Sequence, residues 1–295
     1  MLAALALSVS ACGSNDSSGS GDTSGGGASG SSGVCSKTQA SGDELAHICD
    51  TGTLTVSTDP AYPPQSSLDQ KTGDYVGFDI DVATEIATRL GVEVGWETPS
   101  WDVITAGGWN GRWDMSVGSM TPTNARQKVL DFSPPYYYTP AVVVVNASND
   151  DVKDISTDLD GKKIGVCSAC TYEQYLNKTL AIKGFEFNFV IDDAQVSGYD
   201  TDTTALQDLA IGRLDAVITS LTTAEGYIKA GNPVKIVGKP VFFEPLAAAM
   251  DKNAQLDPTS LVKAVDSIVT QIHTDGTLTK LSKKWYGGVD LSKQQ

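Results

Sequence analysis

Arg126 stands in the stretch MSVGSMTPTNARQKVLDFSPPYYY, residues 115–138, directly after Ser119, Thr121 and Thr123. Three hydroxyls and exposed backbone amides beside one guanidinium make an anion-binding set, because the planar fork of arginine donors matches a carboxylate bidentately. Thr123 is placed to cap a short helical turn that carries Arg126. Met115, Val117 and Ser119 alternate with Ser116 and Gly118, which suits a short strand ending at a ligand-facing edge. The competing reading is a surface arginine paired with Asp131.

The elements that must position this set follow from periodicity. Leu54–Thr58 reads as a buried strand, and the stiff turn DPAYPPQ puts Asp59 and Tyr62 at its carboxyl end, where ligands sit in open α/β sheets. GFDIDVATEIATRLG has Val82, Ile86 and Leu90 at helical spacing, acids in the first turn and Gly91 as a stop. Val92, Val94 and Trp96 alternate as a strand before Trp101, and the continuous apolar run Ala141–Val145 suits a buried strand. Thr171 with Gln174 forms a capping box, so a helix is expected there with its first amides open to an anion. Thr203–Leu214 reads as a helix feeding a strand over residues 215–219. A last helix starts at Asp257-Pro258 and buries Leu261, Val265, Ile268 and Ile272.

A chain of 295 residues with 40% hydrophobic content can build one large or two modest cores. A net charge of −15 without a basic cluster excludes nucleic acid as a partner. The two histidines, His47 and His273, lie far apart with no ligand-like cluster, so neither a metal nor a cofactor is expected.

The amino end, MLAALALSVSACGS, is an apolar run too short to span a bilayer, followed by small residues before Cys12, the pattern of a bacterial lipoprotein signal with Cys12 lipidated. The alternative is a cytosolic start with an incidental cysteine. Residues 13–33 are almost all Ser, Gly, Asp, Asn, Thr and Ala, a flexible tether with a mean span of roughly 25 Å. With Cys12 set aside, the other four cysteines form two pairs. A Cys35–Cys49 bridge is expected to contribute up to about 3 kcal/mol. Cys167 and Cys170, in C-S-A-C, fit either a tight structural bridge or a thioredoxin-like redox centre.

SMTPTNARQKVLDFSPPYYY resembles the signature segment of the extracellular solute-binding proteins of family 3, the receptors of polar amino acid ABC transporters. TDPAYPP, GFDIDVATEIATRLG, DLDGKKIGVCSACTYEQ, ALQDLAIGRLDAVITS, EPLAAAM and GTLTKLSKKWYGG are each similar to further family segments, so the likeness runs over about residues 50–290. It implies an α/β, two-lobe periplasmic-binding-protein fold of type II with two hinge crossovers. The implied division is a signal peptide and lipobox at 1–12, a tether and Cys-bounded segment at 13–49, lobe 1 at 50–139 plus 245–295, and lobe 2 at 140–244.

By the same resemblance the ligand residues are Asp59, Tyr62, Trp101, Ser119, Thr121, Arg126, Thr171 and Ser220. Tyr62 and Trp101 would be aromatic walls, although Trp101 also fits ordinary core packing. Three departures stand out: Gln65 where the family has Phe, Ala169-Cys170 in place of Gly-Thr, and Ser220 in place of the acid that pairs with the ligand's α-ammonium. Either Asp59, Glu225 or Glu244 takes over the ammonium, or the ligand is not a standard α-amino acid. An acid restored at position 220 is then expected to strengthen amino acid binding. The implied function is the substrate-binding component of an ABC importer, anchored by lipid at the outer face of the cell membrane, with a permease and ATPase as partners. A cyclohexadienyl-dehydratase-like enzyme in the same cleft and a sensory ligand-binding domain are the alternatives.

Overall fold

The computed structural model describes residues 33–294. The expected signal segment 1–12 with Cys12, and residues 13–32 of the expected tether, lie outside the described residues. Among the described residues no helix is long and apolar enough to cross a membrane.

The described chain opens with a 3-10 turn, Val34–Ser36, and a helix, α1 (Glu44–Thr51), which the Cys35–Cys49 disulfide joins. Only a Cys-bounded segment was expected here. The helix forms because Asp43 accepts the Ala46 amide at 2.9 Å and Leu45 and Ile48 bury one face. Gly52 then ends it in the left-handed conformation.

β1 (Thr53–Ser57) runs into a small three-stranded sheet of β2 (Ala61–Tyr62), β3 (Ser66–Leu68) and β4 (Tyr75–Val76). α2 (Phe78–Leu90) follows Gly77, whose φ of 145° and close approach to the Gln65 carbonyl leave no room for a Cβ. Next come β5 (Glu93–Glu97), α3 (Trp101–Thr105), β6 (Met115–Met120) and β7 (Leu130–Phe132). α3 has only five residues because Gly107, Gly108 and Gly111 all take positive φ and turn the chain away.

β8 (Tyr137–Asn146) leads to β9 (Lys162–Cys167), α4 (Thr171–Leu176), β10 (Ala194–Tyr199), α5 (Asp202–Ala210), β11 (Ala216–Ser220) and α6 (Leu221–Lys229). β12 (Val234–Asp251), α7 (Thr259–Thr274) and α8 (Thr277–Trp285) complete the fold. The expected start of α7 shifts by one residue: Pro258 is the N-cap, no side chain caps the helix, and Asp257 accepts the Thr259 amide at 2.9 Å in the turn before it.

The main sheet has the order β10-β9-β11-β8-β12-β6-β1-β5, with β7 also on β12. β9 pairs in parallel with β10 and β11, and β1 in parallel with β5 and β6. The two parallel halves are joined by the long antiparallel pair β8 and β12, which pairs from Asn146↔Val234 to Val143↔Val237, shifts register, and resumes from Ala141↔Phe242 to Tyr137↔Leu246. β12 then continues against β6 and β7, with Ala247 opposite Met120 and Ala249 opposite Phe132. Two long strands are therefore the shared spine of two α/β halves, each with its own core. α2 and α7 bury Val82, Ile86, Leu261, Val265 and Ile268 on one half, while Ile164, Val166, Tyr175 and Ile218 fill the other. Each core gathers from a few apolar faces, which is the usual way a domain buries its helices on a sheet.

Candidate functional site

A cleft opens where the carboxyl ends of strands from both halves converge. From the first half, Asp59 and Tyr62 follow β1, Ser119 lies at the end of β6 and Thr121 just after it, Trp101 heads α3, and Arg126 sits on the turn beyond β6. From the second half, Cys167, Cys170, Thr171 and Tyr172 follow β9, Asp200, Thr201 and Asp202 follow β10, and Glu244 comes from β12. Seven of the eight expected ligand residues line this one cleft, and Ser220 does not.

Arg126 is only 4% exposed. Its Nη1 donates to the Thr121 carbonyl at 3.1 Å and its Nη2 reaches across to the Ala169 carbonyl at 2.8 Å. The guanidinium lies 5.3 Å from the Trp101 ring centre, and its Nε is buried without a partner among the described residues. Burial lowers its pKa to about 10, which still leaves it charged at neutral pH. Pairing with Asp131 does not occur, because that carboxylate faces Lys252 at 3.5 Å. Thr123 accepts the Arg126 amide at 3.3 Å and so steadies the turn, but the residue that caps the 3-10 turn Arg126–Lys128 is Ala125 and not Thr123 as expected.

Glu244 is 2% exposed and accepts from Thr121 Oγ1 at 2.5 Å and Thr171 Oγ1 at 2.7 Å. Burial pushes its pKa up, and the two threonine hydroxyls pull it partly back. The expected Thr171–Gln174 capping box is corrected by this contact. Cys170 is the N-cap residue, no side chain caps α4, and the Thr171 hydroxyl goes to the buried carboxylate instead. A charged acceptor holds a hydroxyl more strongly than a backbone amide donor competes for it. Ala169 keeps a glycine-like φ of 59°, and its amide donates to Glu173 Oε2 at 2.7 Å.

Ser119 belongs to a relay rather than standing free. Its Oγ donates to Asp79 Oδ2 at 2.7 Å and accepts from Tyr137 Oη at 2.6 Å, while Tyr136 Oη donates to Asp79 Oδ1 at 2.9 Å. Burial lifts the Asp79 carboxyl to about 7. Tyr62 is buried with its Oη 3.4 Å from that of Tyr172, and Asp59 is held half-buried by the Ala61 amide at 2.8 Å.

Ser220 is fully buried behind this wall as the N-cap of α6, where it accepts the Thr223 amide at 3.2 Å. A short side chain at the end of a strand is taken by the helix that follows. Gln65 reaches it from the first half: Nε2 donates to Ser220 Oγ at 3.2 Å and to Thr222 Oγ1 at 2.8 Å. Gln65 and Ser220, two departures noted separately in the sequence, are thus one contact. Glu225 is exposed on α6 and away from the cleft, which leaves Asp59 and Glu244 of the three acids weighed for an ammonium.

Asp202 was missed. It opens α5, is 5% exposed, and is raised to about 7, first by burial and then by Asp59 and Glu244. The Thr219 hydroxyl lies close enough to pull that value partway back, yet Oδ1 makes no hydrogen bond of good geometry. The signal was the run YDTDT, with acids at a strand end and a helix start. Arg126 thus shares the cleft lining with four acidic residues, Asp59, Asp200, Asp202 and Glu244, of which Glu244 is near enough to favour its charge. Cys167 and Cys170 are bonded to each other and line the same wall.

L-cystine-binding protein TcyJ of Escherichia coli K12 is 30% identical over 262 residues, 88% of this chain and 92% of that protein. L-cystine-binding protein TcyA of Bacillus subtilis 168 is 32% identical over 254 residues, 85% of this chain and 87% of that protein. Among solved structures, the ancestral amino acid-binding protein AncCDT-1, a precursor of cyclohexadienyl dehydratase, superposes with a TM-score of 0.71 at 32% identity, over 82% of this chain and 99% of that one. Residues 54–288 match the family of bacterial extracellular solute-binding proteins, family 3, and this chain belongs to that family.

Proposed function

We propose that the chain is the receptor of an ABC importer and traps an amino acid between its two halves. Residues 50–139 with 245–295 act as one lobe and 140–244 as the other, hinged on β8 and β12. The ligand carboxylate is held by Arg126 together with the first amides of α4 around Thr171, amides that have no acceptor within the helix. Tyr62 and Trp101 wall the ligand, Ser119 and Thr121 supply hydroxyls, and Ser220 supports the wall from behind through Gln65.

The observation that carries the reading is charge in one cleft: one buried arginine in a lining that also holds Asp202, Glu244 and Asp59. One cation and several carboxylates complement a zwitterion with at least one ammonium, and the acids of the cleft supply what Ser220 lacks. Micromolar affinity requires about −8 kcal/mol, within reach of one charged clamp and two stacked walls after the cost of closure. The relatives named for L-cystine make a ligand with two ammonium groups the first candidate. Lipidation at Cys12, the outer face of the cell membrane, and delivery to a permease with its ATPase complete the proposal.

Titration calorimetry against L-cystine, the basic and neutral amino acids, their betaines and small organic acids tests it. At least one amino acid should bind at micromolar concentration, and a panel without any binder refutes the reading.

Elimination chemistry in the same cleft is the second reading. It is favoured by the Asp202 carboxyl, which at about 7 can act as a general acid, and by the likeness to AncCDT-1. Loss of prephenate or arogenate on incubation with the chain would establish it in place of transport.

A further inference from the structure

The C-S-A-C unit forms part of the cleft wall. Cys167 and Cys170 are 8% and 5% exposed, and what they show faces the space walled by Arg126, Thr171 and Asp202. A bridge whose only role is to brace the turn before α4 gains nothing from facing a ligand. The other bridge makes the contrast: Cys35–Cys49 ties a 3-10 turn to α1 and takes no part in the cleft. A second feature stands beside the sulfurs. Asp202 brings a carboxylate oxygen within 4.8 Å of both, and its Oδ1 is buried without a hydrogen bond of good geometry.

We propose that Cys167 and Cys170 are an exchange-active pair whose substrates are small amino acids carrying a disulfide or a thiol, held in the cleft against them. In the reduced chain, the thiolate of one cysteine attacks a ligand sulfur, the ligand S–S bond breaks, and a mixed disulfide forms as one ligand half leaves as a thiol. The second cysteine then attacks the protein-side sulfur, which closes the Cys167–Cys170 bond and releases the other ligand half. The protein pair gives up two electrons, the ligand disulfide takes them, and the two thiol protons finish on the two released thiols. Asp202 is placed to accept the proton of the attacking thiol and pass it to the leaving one. The bridged chain runs the same steps backward with a thiol amino acid. In the bridged state the wall is inert to a disulfide ligand, so the redox state of the pair decides whether such a ligand is carried or cleaved.

This inference rests on the reading that the cleft holds an amino acid. The full chain is reduced with dithiothreitol, desalted, and mixed with L-cystine or with 2-hydroxyethyl disulfide, which lacks the ammonium and carboxylate groups. Samples are quenched with iodoacetamide at intervals and mapped by peptide mass. The Cys167–Cys170 pair should close at least tenfold faster with L-cystine, while Cys35–Cys49, in the same tube, shows no such preference. Arg126→Ala should abolish the preference, and Cys170→Ser should trap half of the ligand on Cys167. The rate ratio is read on the unaltered chain, so it stands whether or not the variants fold. Equal rates with both disulfides, or the same ratio at both cysteine pairs, overturn the proposal. Calorimetry on the bridged chain separates the two readings: an amino acid that binds without preferential exchange removes only the exchange, and the absence of any binder removes the receptor reading itself.

Discussion

Thr121 and Thr171 come from opposite halves of the molecule and donate to the same atom, Oε2 of Glu244, at 2.5 and 2.7 Å. The carboxylate therefore fastens the halves together and also lines the cleft. Glu244→Gln keeps the shape and removes the charge. If Glu244 is a counter-ion for the ligand ammonium, affinity should fall about tenfold or more, since a charged hydrogen bond contributes roughly 1.5–3 kcal/mol. The apo melting temperature should hold or rise, because an ionised group no longer has to be buried. Calorimetry and a thermal melt read both, and unchanged affinity would hand the ammonium to Asp202.

Arg126→Ala removes the one cation that lines the cleft among the described residues. Ligand affinity should fall more than tenfold by calorimetry. The bond from Nη2 to the Ala169 carbonyl crosses between the halves, so the free protein should also open more readily and give a larger radius of gyration in X-ray scattering. Affinity equal to that of the unaltered chain would take Arg126 out of ligand recognition.

Gln65 and Ser220 meet across the same divide, with Thr222 and Thr223 around them. Gln65→Ala should leave buried hydroxyls short of a donor, cost about 1–3 kcal/mol, and weaken ligand binding several-fold through poorer closure. The sequence predicted that Ser220→Asp would strengthen binding. Position 220 is fully buried behind the wall, next to Tyr62, on which Asp202 and Glu244 also act, so the structure now predicts that an added carboxylate lowers the melting temperature instead. A rise in both stability and amino acid affinity would restore the original expectation.

Much of this was legible in the residues. Val82, Ile86 and Leu90 gave α2 its buried face, and the turn after β6 announced Arg126, because periodicity and capping are local signals. α1 was hidden, since eight residues framed by Gly, Ser and cysteine show too little periodicity. Thr171 looked like a capping residue because capping is judged over four positions, whereas its partner, Glu244, lies 73 positions away. Asp202 shows the same limit: an acid at a helix start reads as a dipole match, and only the packing of β9, β10 and β12 around it makes it a buried group of the cleft. Ser220 was read as a missing charge, but the contact with Gln65 that explains it spans 155 positions.

The acids of the cleft make stability and binding respond to pH in opposite directions. Asp202 is raised from 3.8 to about 7 in the folded chain, so between those values the native state holds a proton that the unfolded chain has released. Stability contributed by the protonated form is fully present below about 4 and is lost as pH rises through about 7, a difference on the order of 2–4 kcal/mol. Asp79, also raised to about 7, acts in the same sense. The apo melting temperature should therefore drop between pH 5 and pH 8, and Asp202→Asn should reduce that drop. A ligand ammonium needs the ionised carboxylate, so the ligand-induced rise in melting temperature should be larger at pH 8 than at pH 5 in the unaltered chain and nearly equal at the two in Asp202→Asn. If the variant keeps the full pH dependence of both quantities, Asp202 is not the group that titrates and the ammonium is held elsewhere in the cleft.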